Sequence, residues 1–351
     1  MPLVAHHSLP TLNDIQKEGQ EILTPERALS QDIRELHIGL LNMMPDGALK
    51  ATERQFLRLI GNCNRIAQFY VHPFTLESIP RNSATQDYIQ QYYEPFEQIA
   101  EQGLDALIVT GTNPTQAKIS DEPFLPAMQN ILKWADSNVS SVLYSCLASH
   151  AAFEYFYNIQ RQPLKNKLFG VYPHRILDPN HPLLSNINTR FDMPHSRKND
   201  IDQTTLQAHN IPILIASEQA GVALATSKDG FRHIYLQGHP EYDQISLLKE
   251  YQRDLSAYFE QQQPLPNPPN HYFTEKGQQI LDDFLNDASN DMRDFPYQQL
   301  SQEIDITWRD TAKAIFANWL GLVYQLTHSN RKQQYMQGID PNNPLKTWRT
   351  P

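Results

Sequence analysis

The sequence predicts an α/β protein: a mostly parallel sheet flanked by helices, followed by a C-terminal helical extension. Three observations predict it. Short apolar runs of strand length alternate with amphipathic stretches of about a dozen residues, the pattern of βαβ units. Several apolar runs stop abruptly at turn residues, as Leu40-Leu41-Asn42 does before Met44-Pro45-Asp46-Gly47. A Pro-rich stretch at 261–270, QQQPLPNPPN, resists both helix and strand and separates the alternating region from the C-terminal part of the chain.

Residues 1–35 read as an N-terminal arm, polar with scattered apolar positions. The α/β domain spans 36–260. Its strands are expected at 37–42, 66–74, 104–111, 140–146, 213–217, 222–226 and 233–237, each an apolar run closed by a turn signal. Helices are expected at 49–61, 88–102, 124–135, 148–157 and 244–259. In the third, Leu125, Met128, Ile131, Leu132 and Ala135 recur at helical spacing. Residues 261–351 hold the Pro-rich connection, a polar and acidic helical insertion at about 273–306, and an amphipathic helix at 307–326 that packs back on the domain. The tail beyond Ser329 is polar and reads as mobile.

Composition excludes several classes. At 351 residues, 40% hydrophobic and 19% charged, the chain buries a core without disulfide or metal staples. A net charge of −10 disfavours nucleic-acid binding, which needs a basic face. No apolar run reaches membrane-spanning length, and the start lacks the layout of a signal peptide. The two cysteines, Cys63 and Cys146, cannot make a disulfide framework, so a cytoplasmic location is expected. Neither G-x-G-x-x-G nor a P-loop occurs. No metal is expected: the thirteen His show no H-E-x-x-H spacing, and His6-His7 reads as incidental.

The strongest chemical feature is Tyr144-Ser145-Cys146-Leu147-Ala148. A Cys there ends a buried strand and starts a helix, a sharp turn that exposes its side chain to a helix N-terminus. A Cys packed in the core fits that position equally well. Gly238-His239-Pro240-Glu241 ends another strand. His239 is a candidate base for Cys146, and Glu241 a candidate to fix its tautomer. Taken singly, a loop His bonded to backbone is an ordinary occurrence. Backbone N–H groups at Thr112 and Leu147 are candidates for an oxyanion hole, although Thr110-Gly111-Thr112 also fits a plain tight turn. Lys167, Arg197, Lys198 and Arg253 are possible anion clamps or simple surface charge. Arg253 lies about four helical turns beyond His239, so helix geometry alone does not join them.

Six motifs occur in order: Leu41-Asn42-Met43-Met44-Pro45, Gln55-Phe56-Leu57-Arg58-Leu59, Leu107-Ile108-Val109-Thr110-Gly111, Lys167-Leu168-Phe169-Gly170-Val171-Tyr172, Pro194-His195-Ser196-Arg197 and Gly238-His239-Pro240-Glu241-Tyr242-Asp243. Together they resemble the homoserine O-acyltransferases of the homoserine O-succinyltransferase type, over about 36–260 and again at 307–326. The resemblance implies a class I glutamine amidotransferase-like fold. It implies ping-pong transfer of a succinyl group, or less readily an acetyl group, from a coenzyme A thioester to the hydroxyl of L-homoserine, in methionine biosynthesis. Cys146 would be the nucleophile, His239 the base and Glu241 its partner. Lys167, Ser196 and Arg253 would hold the amino acid, and Thr115 falls where the acyl group is chosen. Succinyl-CoA or acetyl-CoA would be a co-substrate, with no tightly bound cofactor, and the chain would be a homodimer with small-molecule partners. Another hydroxy amino acid such as serine, or glutamine amidase or hydrolase chemistry on the same fold, are the alternatives. The family usually has Cys-Trp where this chain has Cys146-Leu147, and Gln where it has His150.

Overall fold

The computed structural model describes residues 3–64, 66–287 and 291–347. Parts of the expected arm, insertion and tail (1–2, 288–290 and 348–351) lie outside them. The strands are β1 (Leu3–Val4), β2 (Ile22–Leu23), β3 (Glu35–Leu41), β4 (Gln68–Phe74), β5 (Ala106–Val109), β6 (Ser141–Ser145), β7 (Gln162–Ile176), β8 (Arg190–Asp200), β9 (Ile213–Ser217), β10 (Gly221–Thr226) and β11 (His233–Leu236). They form one sheet in the order β2-β1-β4-β3-β5-β6-β11-β10-β9-β7-β8. Pairing is parallel from β2 to β11 and antiparallel from β11 to β8.

The central strands are apolar throughout because both faces are covered. Ile108 and Leu143 face one layer, with Phe56 of the helix Asp46–Gly61 and Phe316 and Trp319 of the helix Arg309–Leu326. Leu107, Val109, Val142 and Tyr144 face the other, against Met128, Ile131 and Leu132 of Leu125–Asn138 and Phe153 of Leu147–Tyr157. The period of two in the strands thus sorts side chains into two cores. The C-terminal helix is pinned to β6 by Trp319, whose Nε1 donates to Ser141 Oγ at 2.8 Å.

The structure departs from the expected elements in four places. Residues 3–35 contribute β1 and β2 to the sheet edge and bury Leu9, Leu12 and Ile15, so their scattered apolar positions are core contacts of a short helix, Pro10–Lys17. The single helix at 88–102 is two, Ser83–Tyr92 and Phe96–Gln102, broken at Pro95, which has no N–H to donate. The described part of the tail packs rather than projecting: Leu345 is fully buried and the Tyr335 hydroxyl donates to the Ser140 carbonyl at 2.8 Å.

The largest departure is the long hairpin β7–β8, which carries the segments around Lys167 and Ser196, where no strand is expected from the sequence. Phe169 pairs with Ser196, and Leu168 with Arg197. Inside it runs a chain of hydrogen bonds. Arg197 donates to His195 Nδ1, His195 Nε2 to His174 Nε2 at 3.0 Å, and His174 Nδ1 to the Tyr172 carbonyl at 2.8 Å. Burial holds His174 down at about 4 and His195 well below its usual range, so both rings stay uncharged.

The Pro-rich connection lies beside β7, with Asn270 N donating to Phe169 O and Val171 N donating to Asn270 O, both at 2.9 Å. The insertion helices Glu275–Asn286 and Tyr297–Gln302 build a third core on Leu247, Leu248 and Tyr251 of the helix Ser246–Phe259. Among the described residues, no helix is long and apolar enough to cross a membrane.

The Asn270 contact depends on Gly170, at φ +147. A Cβ there would lie 2.3 Å from the Asn270 carbonyl oxygen and 2.6 Å from its nitrogen. Backbone cannot yield as a flexible side chain can. Gly170→Ala should therefore lower unfolding free energy by about 1–3 kcal/mol, read from the urea midpoint.

Candidate active site

Strands β6 and β11 pair in parallel, with Leu236 opposite Ser145, so both end at the same level. Cys146 follows β6 at once, its N–H donating to the Leu236 carbonyl at 2.7 Å. It adopts φ 53, ψ −118, a conformation that costs a non-glycine residue about 1–3 kcal/mol and persists only where its surroundings impose it. The imposing elements are β6 on one side and the helix Leu147–Tyr157 on the other. The turn is closed by Ser149, whose N–H and hydroxyl both donate to the Cys146 carbonyl at 2.9 and 2.6 Å. The thiol is thereby held at a helix N-terminus, where free N–H groups favour an anion.

The end of β5 presses on this turn: a Cβ at Gly111 would stand 3.4 Å from Leu147 N and 3.5 Å from Cys146 Cβ. Thr112 and Leu147 both line the cavity with Cys146. Their N–H groups are the two expected to serve as oxyanion donors.

After β11, the chain turns so that His239 N donates to the Pro194 carbonyl at 2.8 Å. His239 and Glu241 are both buried. His239 Nδ1 donates to Glu241 Oε1 at 2.8 Å, and Ser145 Oγ donates to the same oxygen at 3.3 Å. Tyr242 stacks on the imidazole with centroids 4.2 Å apart. The remaining nitrogen, Nε2, is buried and has no full hydrogen-bond partner among the described residues. Burial pushes the His239 pKa down, but the interactions with Cys146 and then Glu241 outweigh it and raise the value to about 10. The loop is anchored beyond the triad by Asp243, which accepts from Arg54 and Arg58.

The other end of the cavity is a balanced charge network. Lys167 Nζ, in β7, donates to Glu250 Oε1 at 2.7 Å and Asp254 Oδ2 at 2.9 Å. Ser196 Oγ, in β8, donates to Glu250 Oε1 at 2.7 Å. Arg253 is 62% exposed in its side chain and pairs with Asp254, Nη2 to Oδ1 at 2.6 Å. These residues share a cavity of about 390 Å³ with Cys146, His239 and Glu241. The helix Ser246–Phe259 runs along the cavity wall, which joins Arg253 to the site despite its distance in sequence.

Thr115 is not among the residues lining this cavity. It is exposed, and Glu122 holds it through its N–H at 2.8 Å and its hydroxyl at 2.9 Å, while Thr112, Asn113 and Pro114 line the wall instead. His150 is buried, donates to Gln237 Oε1 at 2.8 Å and is held down at about 3 by burial, so it packs as a neutral ring. Glu250 and Arg161 line the site and were missed from the sequence. Glu250 lay hidden among other helix charges, at one-turn spacing from Arg253. Arg161, whose Nη2 donates to the Gln116 carbonyl at 2.9 Å, carried no motif at all.

The model of the homoserine O-succinyltransferase family matches residues 2–329. The chain belongs to the homoserine O-succinyltransferase family. It is similar to the homoserine O-succinyltransferases of Cardiobacterium hominis, 60% identical over 98% of this chain and 99% of that one, and of Methylobacter tundripaludum, 51% identical over 98% and 99%. Among solved structures it is similar to a glutamine amidotransferase from Thermotoga maritima, 12% identical with a TM-score of 0.44, covering 84% of this chain and 98% of that one. Membership of the homoserine O-succinyltransferase family agrees with the expected acyltransferase of the succinyl type.

The His239 environment carries a titration test. An imidazole raised from 6.5 to about 10 keeps its second proton at neutral pH and loses it only in the alkaline range. Glu241→Gln removes one of the groups that raise it, so the midpoint, followed by NMR of the ring, should fall toward 6.5. Turnover should fall by orders of magnitude, because Gln no longer holds the productive tautomer.

Proposed function

We propose that this chain transfers a succinyl group from succinyl-CoA to the hydroxyl of L-homoserine, in methionine biosynthesis, by ping-pong catalysis through a thioester on Cys146. The observation that carries the reading is the cavity itself, where a strained strand-end Cys meets a His–Glu pair at one end and a network of paired charges lies at the other.

In the first half-reaction the proton already rests on His239 Nε2, and Cys146 Sγ, as thiolate, attacks the thioester carbonyl carbon. The carbonyl oxygen becomes an oxyanion, met by the N–H groups of Leu147 and Thr112. One such donor is worth about 3 kcal/mol of barrier. Collapse breaks the bond to the coenzyme sulfur, which leaves with the proton from His239 and yields succinyl-Cys146. In the second half, His239 accepts the hydroxyl proton of homoserine as the oxygen attacks the same carbonyl. Cys146 leaves as thiolate, and the hydroxyl proton now on His239 restores the resting pair. Glu241 accepts from Nδ1 and orients the ring throughout. The thioester keeps the acyl group activated between the two transfers.

The acceptor's carboxylate suits Arg253, whose fork binds two oxygens, and its ammonium suits Glu250, with Ser196 and Lys167 fixing that carboxylate. The reading makes no use of a tightly bound cofactor.

Whole-protein mass after brief mixing with succinyl-CoA tests the covalent step. A single added succinyl mass on Cys146, removed by homoserine, is expected. Cys146→Ala should take up none and lose turnover, and normal turnover in that variant would overturn the reading. Arg253→Ala should raise KM for homoserine far more than for succinyl-CoA while leaving the first acylation nearly normal. Lys at 253 should be impaired as well, since a point charge lacks the fork.

A further inference from the structure

At the N-terminal edge of the sheet, away from Cys146, lies a cluster of imidazoles that the acyl transfer does not use. The chain leaves β1 and bends at His7, which brings the rings of His6 and His7 to a centroid separation of 4.1 Å. Each ring is tied through one nitrogen to a backbone carbonyl. His6 Nδ1 donates to Val4 O at 3.1 Å, and His7 Nε2 donates to Val71 O, in β4, at 2.9 Å. A neutral imidazole that donates through one nitrogen presents a lone pair on the other. Those second nitrogens, His6 Nε2 and His7 Nδ1, are both buried and have no hydrogen-bond partner among the described residues.

Two buried lone pairs on adjacent rings would repel and go unsatisfied unless something electropositive sits between them. The third neighbour is a carboxylate. Glu94 ends the turn after the helix Ser83–Tyr92, its N–H donating to the Pro73 carbonyl at 2.9 Å. One of its oxygens accepts from His72 Nδ1 at 2.7 Å, and His72 Nε2 lies 2.8 Å from His37 Nδ1. Ligand atoms of His6, His7 and Glu94 all lie within 4.8 Å of one another.

We propose that His6, His7 and Glu94 bind a divalent transition-metal ion of the zinc class, with solvent as the fourth ligand. The donor set of two imidazoles and one carboxylate suits zinc, and the arrangement behind it is the one such sites use. Each ligating His gives its other N–H to a backbone carbonyl, and the carboxylate is held by a further hydrogen bond. Burial lowers the pKa of both rings, to about 4 for His6, so the lone pairs are available at neutral pH without proton release. Zinc–nitrogen bonds of about 2.1 Å place tetrahedral donors roughly 3.4 Å apart, so the three side chains draw together on binding. The ion would fasten residues 3–7 to β4 and to the turn before Pro95. That places its effect on the stability of the sheet edge and not on the acyl chemistry.

The test uses the full chain stripped by a chelator and titrated with cobalt(II), then zinc. One equivalent of cobalt should give the visible bands of a tetrahedral nitrogen–oxygen site, without the sulfur-to-cobalt band that binding at Cys63 or Cys146 would show. Zinc should displace it and raise Tm. Affinity should fall about 100-fold or more in His6→Ala, His7→Ala and Glu94→Gln, each checked for fold by circular dichroism, and should persist in Cys146→Ala. If a variant fails to fold, the cobalt spectrum and zinc-dependent Tm of the unaltered chain decide alone. Absence of stoichiometric binding, a sulfur-to-cobalt band, loss of the site in Cys146→Ala, or unchanged affinity in folded His7→Ala would each overturn the proposal.

Discussion

The site depends on the parallel pairing of β6 with β11. Four residue pairs, from His233 with Val142 to Leu236 with Ser145, bring two distant segments to a common end. The hydrogen bond from Cys146 N to Leu236 O continues that ladder by one residue, into the strained turn itself. The strain at Cys146 is therefore opposed by a sheet whose central strands are buried on both faces. A helix starts at the next residue and cannot relax backwards. The loop carrying His239 is held in turn by Pro194 from behind and by Arg54 and Arg58 through Asp243. The relative position of sulfur and imidazole is thus a property of the sheet, not of flexible loops, which is what catalysis by positioning needs.

Electrostatics divides the cavity into two kinds of ground. Around Cys146 the polar groups converge on a buried imidazole whose raised pKa keeps a proton in place for delivery. Around Glu250 the two cations Lys167 and Arg253 meet the two acids Glu250 and Asp254. A zwitterionic amino acid can exchange these internal pairs for equivalent pairs with itself, leaving the local charge unchanged. Such an exchange avoids the cost of burying an uncompensated charge. A polar end for a zwitterion and a thiol end for an acyl group fit a two-substrate transfer better than hydrolysis of one substrate.

Much of this was legible in the sequence. Ala106–Val109 and Ser141–Ser145 are continuous apolar runs because helices cover both their faces, and such runs announce themselves. Cys146 and His239 were legible as strand-end residues for the same reason. The hairpin β7–β8 was not. Its outer half is solvated, with Lys165, Asn166 and Lys167 in sequence, so no alternation marked it as strand. The fit of Ser196 and Lys167 to Glu250 is tertiary, made by a helix about 50 residues further along the chain than Ser196, and no local pattern could reveal it. Thr115 shows the converse. Singled out by motif position alone, it is held outside the wall by Glu122, seven residues away. The tail from Ser329 looked mobile because its polar majority hides single anchors such as Tyr335 and Leu345.

The central claim is that the acyl group rests on Cys146 before the acceptor arrives. Isotope exchange between free coenzyme A and succinyl-CoA, with homoserine absent, tests it most directly, since exchange requires the first half-reaction to run to its covalent intermediate and back. The account predicts rapid exchange by the unaltered chain and none by Cys146→Ala. Exchange that appears only when homoserine is present would mean that both substrates must bind before any bond is made, and would contradict it.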